Sequence, residues 1–232
     1  MKELQEIAAI LSQSNNIVFF GGAGVSTESG IPDFRSVDGL YNQQYAYPPE
    51  VMLSHTFYVQ HQEEFFDFYR KKLIFPQAKP NKAHEWLARW EAAGKVKAVI
   101  TQNIDGLHQA AGSQQVLELH GSIQRNYCER CQAFYPLEFI RSSSLTPTCS
   151  CGGVVKPDVV LYEEGLDQSV LEKAITYIAK ADILIVAGTS LVVYPAAGLI
   201  DYYRGNKLIL INRAPWRIVK LILCFMVRLA RF

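Results

Sequence analysis

IVFFGGAGVSTESGIPDFR, residues 17 to 35, is the stretch whose reading decides the fold of this 232-residue chain. Ile17, Val18, Phe19 and Phe20 form an apolar run that reads as a buried strand. Gly21, Gly22 and Gly24 follow at once, and Ser26-Thr27-Glu28 is a capping-type helix start. A strand, a glycine turn and a helix N-terminus together make a phosphate cradle, because backbone N–H groups point outward there and the helix dipole favours an anion. A tight strand-to-helix turn with no ligand accounts for a glycine pair equally well.

Two details point to a ligand. The spacing Gly22-x-Gly24-x-x-Thr27 is close to the dinucleotide fingerprint, with Thr27 where a third glycine belongs. The acidic residue that should end a second strand about 20 positions on is missing, and Asp38 sits in a polar loop instead. An ordinary dehydrogenase is therefore set aside. Beyond the turn, Gly30-Ile31-Pro32-Asp33-Phe34-Arg35 places a fixed proline backbone just before an aromatic and an arginine, where an ordinary crossover would continue its helix.

Working outward, the length suits one large domain or one domain with a small insertion. A hydrophobic content of 49%, with 12 Tyr and 12 Phe, is ample for a core. A net charge of +1 gives no general attraction to polyanions. The start, MKELQEIAAILSQ, is an amphipathic helix pattern with Leu4, Ile7, Ala8 and Leu11 on one face, and it lacks the apolar centre of a signal peptide. No run of apolar residues is long enough to span a membrane. Five cysteines, four of them clustered, suit a metal site in a reducing compartment, so the cytoplasm is expected.

Four further apolar runs resemble the first: Val96 to Thr101, Val116 to Leu119, Ile183 to Ala187 and Leu208 to Ile211. They end in Gln102-Asn103-Ile104-Asp105, His120-Gly121, Gly188-Thr189-Ser190 and Asn212. Five such runs, several of them separated by helical patterns, predict an α/β fold: a parallel, doubly wound sheet with its site along the carboxyl edge. Between the first two, Pro48-Pro49 marks a turn, and Phe57, Tyr58, Phe65, Phe66, Phe68 and Tyr69 read as helices packing on a core. Lys79-Pro80-Asn81 is a break, and Ala83 to Ala93 is a helix closed by Gly94. Val159 to Tyr162 reads as an edge strand.

Cys128-x-x-Cys131 is followed, after 17 intervening residues, by Cys149-x-Cys151. Two close thiol pairs suit tetrahedral zinc, and a site filled by four cysteines has no open position for catalysis, so the metal would be structural. Only Glu138 and no histidine lies between the pairs. His120, alone, is either a hydrogen-bonded structural group or a base of suitable pKa.

GAGVSTESGIPDFR, with TQNIDGLH at Thr101 to His108, ELHGS at Glu118 to Ser122 and GTSLVVYPAA at Gly188 to Ala197, resembles the signature of the sirtuins, the NAD-dependent protein deacylases. Order and spacing agree up to about Asn212. The resemblance implies one catalytic domain over residues 1–232, Rossmann-like, with a cofactor loop and helical module at 38–80 and a zinc-binding module at 125–157. It implies NAD as co-substrate, a structural zinc on Cys128, Cys131, Cys149 and Cys151, and acylated-lysine proteins or peptides as substrates, with no nucleic acid and no membrane span. It makes His120 the general base that activates a ribose hydroxyl, with free lysine, nicotinamide and O-acyl-ADP-ribose as products. Asn103 and Asp105 would orient the ribose and hold the nicotinamide amide, with Ile104 in the nicotinamide pocket and Gln102 reaching the ribose. Ala23, Thr27 and Arg35 would line the phosphate side, and Phe34 would shield the reactive carbon. Gly188, Thr189 and Ser190 would meet the phosphates, although Thr189-Ser190 also reads as a simple helix cap. Asn212 would meet the adenosine ribose, and residues 159–162 would pair with the substrate peptide. Acid-preferring members carry a Tyr and an Arg three residues apart, and the nearest match here is Tyr69 and Lys72; with the aromatic residues Phe65 and Phe68 nearby suggesting an apolar acyl channel, neutral acyl groups are expected over acidic ones. A mono-ADP-ribosyltransferase and a non-catalytic NAD or ADP-ribose sensor are the alternatives. His55, His61, His84 and His108 are read as surface or structural groups, His108 as a packing residue.

After Asn212 the resemblance stops. RAPWRIVKLILCFMVRLARF, residues 213–232, is apolar and basic without Asp or Glu. A basic helix on a membrane surface and an altered reading frame or truncated product are both open readings. With Trp216 but no acidic or amide group to meet adenine, weaker NAD binding and self-association are expected.

Overall fold

The computed structural model describes residues 8–34, 39–40 and 47–212, and the backbone of 223–225. Arg35, Asp38, Trp216 and most of the C-terminal tail lie outside the described residues, as do Leu4 and Ile7 of the N-terminal pattern; residues 8–12 are helical.

Among the described residues nine strands follow in chain order: β1 (Ile17–Gly21), β2 (Val96–Thr101), β3 (Val116–Glu118), β4 (Gly121–Cys128), β5 (Phe134–Pro136), β6 (Val155–Val159), β7 (Ile183–Ala187), β8 (Lys207–Ile211) and β9 (Leu223–Phe225). Six form one sheet in the order β3-β2-β1-β7-β8-β9, with every neighbouring pair parallel. All five expected apolar runs are in it. The sixth strand is an addition: part of the tail run pairs with β8, Ile209 opposite Leu223 and Ile211 opposite Phe225. A strand in a parallel sheet reads as a continuous apolar run, so a segment with no polar face can join one.

Side chains of the central strands alternate between two cores. Val18, Phe20, Ile100, Leu184 and Val186 pack with Ala174 and Ile178 of the helix Gln168–Lys180. Ile17, Phe19, Val99, Ile183 and Ile185 pack on the other face with Leu87 of the helix Lys82–Ala92. Burying a side chain of this size contributes about 1.5–3 kcal/mol. From β1 the chain runs outward to β2 and β3 on one side, then returns to build β7, β8 and β9 on the other. The order reverses between β1 and β7, the point at which open α/β sheets bind ligands.

The remaining strands form an antiparallel sheet in the order β5-β4-β6. The expected edge strand is displaced: β6 covers Val155–Val159, and of the run 159–162 only Val159 belongs to it. The segment Val155-Lys156-Pro157-Asp158-Val159 alternates buried and half-buried residues, the period of a one-sided strand, whereas beyond Val159 the apolar run keeps only single links, Val160 to the His120 carbonyl and Tyr162 in a bridge with Ser54. Arg125 of β4 joins the two sheets, reaching Glu118 of β3 and Asp158 of β6 at 2.7 Å each. The helices Pro49–Met52, His55–Gln60 and Gln62–Lys72 lie before β2, the first with Pro49 at its opening position. Phe57, Tyr58, Phe65, Phe66, Phe68 and Tyr69 pack in one core with Ile140, Cys128, Cys149 and Val159 of the antiparallel sheet and its cysteine loops.

Candidate active site

A cavity of about 510 Å³ opens at the carboxyl ends of β1, β2 and β7, where the strand order reverses. Its floor is the contact of two turns. A Cβ on Gly22 would lie 2.7 Å from Thr189 Cβ, and one on Gly24 would lie 2.7 Å from Gly188 Cα. Only glycine permits this approach. Gly22 N–H donates to the Ala187 carbonyl at 3.1 Å and Gly24 N–H to the Gly188 carbonyl at 2.7 Å.

The expected α-helix after this turn is absent. Two short 3₁₀ turns, Ala23–Val25 and Thr27–Ser29, stand in its place and end at Gly30 with φ 85°. The N–H groups of Gly22 and Gly24 are used by the end of β7 and its following turn, so neither is left to meet an anion. Ser26 caps nothing; its hydroxyl donates to Asp105 Oδ2 at 2.6 Å and accepts from Asn103 Nδ2 at 3.1 Å. Sequence reading missed this role. The available signal was an incomplete capping box, since Ser29 and not Glu or Gln follows three residues later.

Ala23, Thr27, Phe34, Gln102, Asn103, Ile104, Asp105, His120, Gly188, Thr189, Ser190 and Asn212 all border the cavity. Arg35, the one other residue expected there, is outside the described residues. Several of these side chains hold one another. Gln102 Nε2 donates to Thr189 Oγ1 at 2.9 Å, Thr189 Oγ1 accepts from Leu191 N–H at 3.1 Å, and Asn212 Nδ2 donates to the Thr189 carbonyl at 2.8 Å. Asp105 Oδ1 accepts from Leu107 N–H at 2.9 Å. These hydroxyl, amide and carboxylate groups match the needs of a ribose, a carboxamide and a pyrophosphate, so the donor set fits a dinucleotide.

His120 follows β3, and its Nδ1 lies 2.9 Å from the Gln102 carbonyl oxygen. A carbonyl only accepts, so Nδ1 carries the proton and the neutral ring has its lone pair on Nε2. Burial holds the imidazole below the ordinary histidine range, partly opposed by that carbonyl bond. The group can accept a proton at neutral pH.

The opposite wall comprises Leu40, Leu53, Leu73 and Phe75 with Lys72, and residues 159–164 beyond β6. Phe65 and Phe68, taken above as a reason to expect neutral acyl groups, are core residues with at most 5% exposure, and Tyr69 is fully buried beside them. None of the three borders the cavity. His84 and His108 are buried with ring centroids 4.7 Å apart, which places His108 among the packing residues as expected. His55 is paired with Glu164 at 2.9 Å.

Away from the cavity, Cys128, Cys131, Cys149 and Cys151 bring their sulfurs within 4.8 Å of one another. Cys128 and Cys151 sulfurs are 3.5 Å apart, and those of Cys131 and Cys149 are 3.6 Å apart. Zinc–sulfur bonds of about 2.3 Å in a tetrahedron require sulfurs about 3.8 Å apart, so the four thiols fit zinc. Tyr135 donates its hydroxyl to Cys149 Sγ at 3.0 Å, and Cys131 N–H and Cys151 N–H each donate to a sulfur at 3.5 Å. Such donors favour the thiolate.

The sequence model described as the Sir2 family matches residues 22–195, which contain the glycine turn, His120, the four cysteines and the β7 turn. An NAD-dependent protein deacetylase of Clostridium acetobutylicum is 62% identical over 218 residues, covering 92% of this chain and 89% of the relative. One of Clostridium perfringens is 60% identical, covering 91% and 88%. Among solved structures, a Sir2–p53 peptide–NAD+ complex matches with a TM-score of 0.84 at 40% identity, over 98% of this chain and 94% of that one. A Sir2 bound to acetylated peptide matches with a TM-score of 0.85 at 39% identity, again over 98% and 94%. With the fold, the cavity and the cysteine cluster all in agreement, this chain belongs to the Sir2 family.

Proposed function

We propose that this chain is an NAD-dependent protein deacetylase acting on acetylated lysine in proteins or peptides. Its relatives at 62% and 60% identity carry that activity in their names. The observation that carries the reading for this chain is His120: Nδ1 is committed to the Gln102 carbonyl, and the ring borders the cavity with a basic Nε2. NAD, when bound, supplies a ribose with nicotinamide as leaving group and a hydroxyl as acetyl acceptor. His120 takes the proton from that hydroxyl. Asn103 and Asp105, tied together through Ser26, orient the ribose and the carboxamide beside Ile104. Gln102, Thr189, Ser190 and Asn212 hold the ribose and phosphate portions with Ala23, Thr27 and Gly188, and Phe34 shields the reacting carbon. Residues 159–162 take the substrate peptide by strand addition next to β6.

Cys128, Cys131, Cys149 and Cys151 would hold one structural zinc, which fits a reducing compartment, and the cytoplasm is the compartment we assign. No helix among the described residues is long and apolar enough to cross a membrane. The apolar lining of Leu40, Leu53, Leu73 and Phe75 favours neutral acyl groups, and Lys72 lacks the bidentate fork with which arginine grips a carboxylate.

The test is mass spectrometry of an acetyl-lysine peptide incubated with the protein, with and without NAD. Loss of the acetyl group only with NAD, and nicotinamide release only with peptide, is expected. Nicotinamide release with the acetyl group retained would favour ADP-ribosyl transfer, and neither event would favour a sensor.

A further inference from the structure

The wall at residues 160–164 is held by two consecutive carboxylates, and the first sits on a backbone that disfavours it. Glu163 has φ 76°, in the left-handed region that favours glycine. Its Oε2 accepts from Thr56 N–H at 2.9 Å and from Thr56 Oγ1 at 2.7 Å. Thr56 lies in the first turn of the helix His55–Gln60, where an N–H has no partner within the helix. Glu164 accepts from His55 Nδ1 at 2.9 Å, Lys156 Nζ at 3.2 Å and Leu161 N–H at 2.9 Å. Between the two clips the backbones join: Tyr162 N–H donates to the Leu53 carbonyl at 3.0 Å, and His55 N–H to the Tyr162 carbonyl at 2.9 Å. Val160 N–H donates to the His120 carbonyl at 3.0 Å, so the same segment is anchored to the residue that carries the base.

We propose that Glu163 is a positioning residue for the acyl-lysine substrate: its carboxylate clips the wall at residues 160–164 to Thr56 and so fixes the surface against which the peptide lies. This rests on the deacetylase reading above. The bonds to Thr56 also draw the Glu163 carboxyl below its usual range, as a working acceptor should be. The partners of the two carboxylates are Thr56, His55, Lys156 and Leu161, none of them in the turns after β1 and β7 that floor the cavity, so the clip acts from the peptide side of the wall.

Steady-state kinetics on the full chain, varying acetyl-lysine peptide and NAD separately, test it. Glu163→Gly relieves the backbone and removes the clip. Its peptide KM should rise severalfold, since the two bonds to Thr56 are lost but are solvent-exposed and partly replaced by water, while its NAD KM and kcat stay near wild type. Glu163→Gln keeps an acceptor for Thr56 and should stay within about twofold of wild type. Thr56→Val should move the peptide KM in the same direction, and the double variant should fall short of the sum of the two effects. Hydrogen exchange reads the clip without reference to activity: amides of 160–164 should exchange faster in Glu163→Gly while those of β1, β2 and β7 do not change. An unchanged peptide KM in Glu163→Gly, equal rises for peptide and NAD, or Glu163→Gln behaving like Glu163→Gly would each overturn the proposal, as would unchanged exchange. A wild-type chain that deacetylates no peptide would sink the underlying reading and the positioning role with it. Faster exchange in that case would show that the clip exists but serves another ligand.

Discussion

The Ser26 hydroxyl donates to Asp105 at 2.6 Å across 79 residues of sequence, and the same oxygen accepts from Asn103. Ser26 is buried at the edge of the cavity, and removing its hydroxyl takes a donor from Asp105 and an acceptor from Asn103. A hydrogen bond to a charged group is worth about 1.5–3 kcal/mol. Ser26→Ala should therefore lower kcat/KM for NAD by about 10- to 150-fold at unchanged fold. Nicotinamide release and circular dichroism check this; near-normal turnover by the variant would remove Ser26 from the site.

His120→Ala should lose about 10²–10⁴-fold in kcat, the usual contribution of a general base. The pH profile gives a second reading. Burial lowers the His120 pKa, and the base form is the unprotonated one. The acid limb of kcat/KM should therefore have its midpoint below 6.5, the ordinary histidine value, with activity lost on acidification through it. A midpoint above 6.5 would contradict the buried, neutral ring.

The buried histidine pair makes stability depend on pH. His108 is lowered to about 3, first by burial and then by His84 beside it. His84 is lowered too, by burial, with Asp105 opposing. Phe19 covers His108 from the β1 side at 6.0 Å between rings, and neither His108 nitrogen has a partner among the described residues. The unfolded chain takes up a proton near pH 6.5, and folded His108 does not until about pH 3. Stability should therefore fall as pH drops below about 6.5, by up to about 1.4 kcal/mol per pH unit from this group. His108→Phe should flatten the slope between pH 7 and 5, measured by urea unfolding. Equal slopes in the two proteins would show that the pair does not carry the effect.

Elemental analysis should find about one zinc per chain. Binding to four thiolates is folding free energy, about 10–16 kcal/mol in small zinc domains, as large as the net stability of a whole domain. Chelation should abolish cooperative melting of the cysteine-bearing sheet and of the helices packed on it. Cys149→Ser should do the same, since it removes one of the four thiolate ligands. A metal-free chain with an unchanged melt would make the cluster a set of ordinary thiols.

What was legible in the sequence follows from where the information sits. β1, β2 and β7 are buried on both faces, so their own residues announce them. The glycine turn was legible as a turn, but its 3₁₀ geometry depends on Gly188 and Thr189, about 165 positions later in the chain. β6 was misplaced because an apolar run, residues 159–162, outweighed the alternation of Val155 to Val159, in which a lysine, a proline and an aspartate intervene. The cavity residues were legible through long motifs. Ser26, Thr56 and Glu163 were not, because their partners lie 79 and 107 residues away in sequence.

The helices before β2 and the cysteine-bearing sheet come from two separate stretches of chain, yet they share one core. Tyr58 donates its hydroxyl to Glu129, next to Cys128, at 2.9 Å. Leu40, Leu53, Val159 and Leu161 belong to that core and also border the cavity. The six-stranded sheet has two cores of its own, and none of the four clustered cysteines belongs to either. The chain is thus divided unevenly with respect to its metal. Under zinc starvation, the dinucleotide half should outlast the half that grips acyl-lysine, leaving a protein that still occupies its cofactor but has lost its purpose.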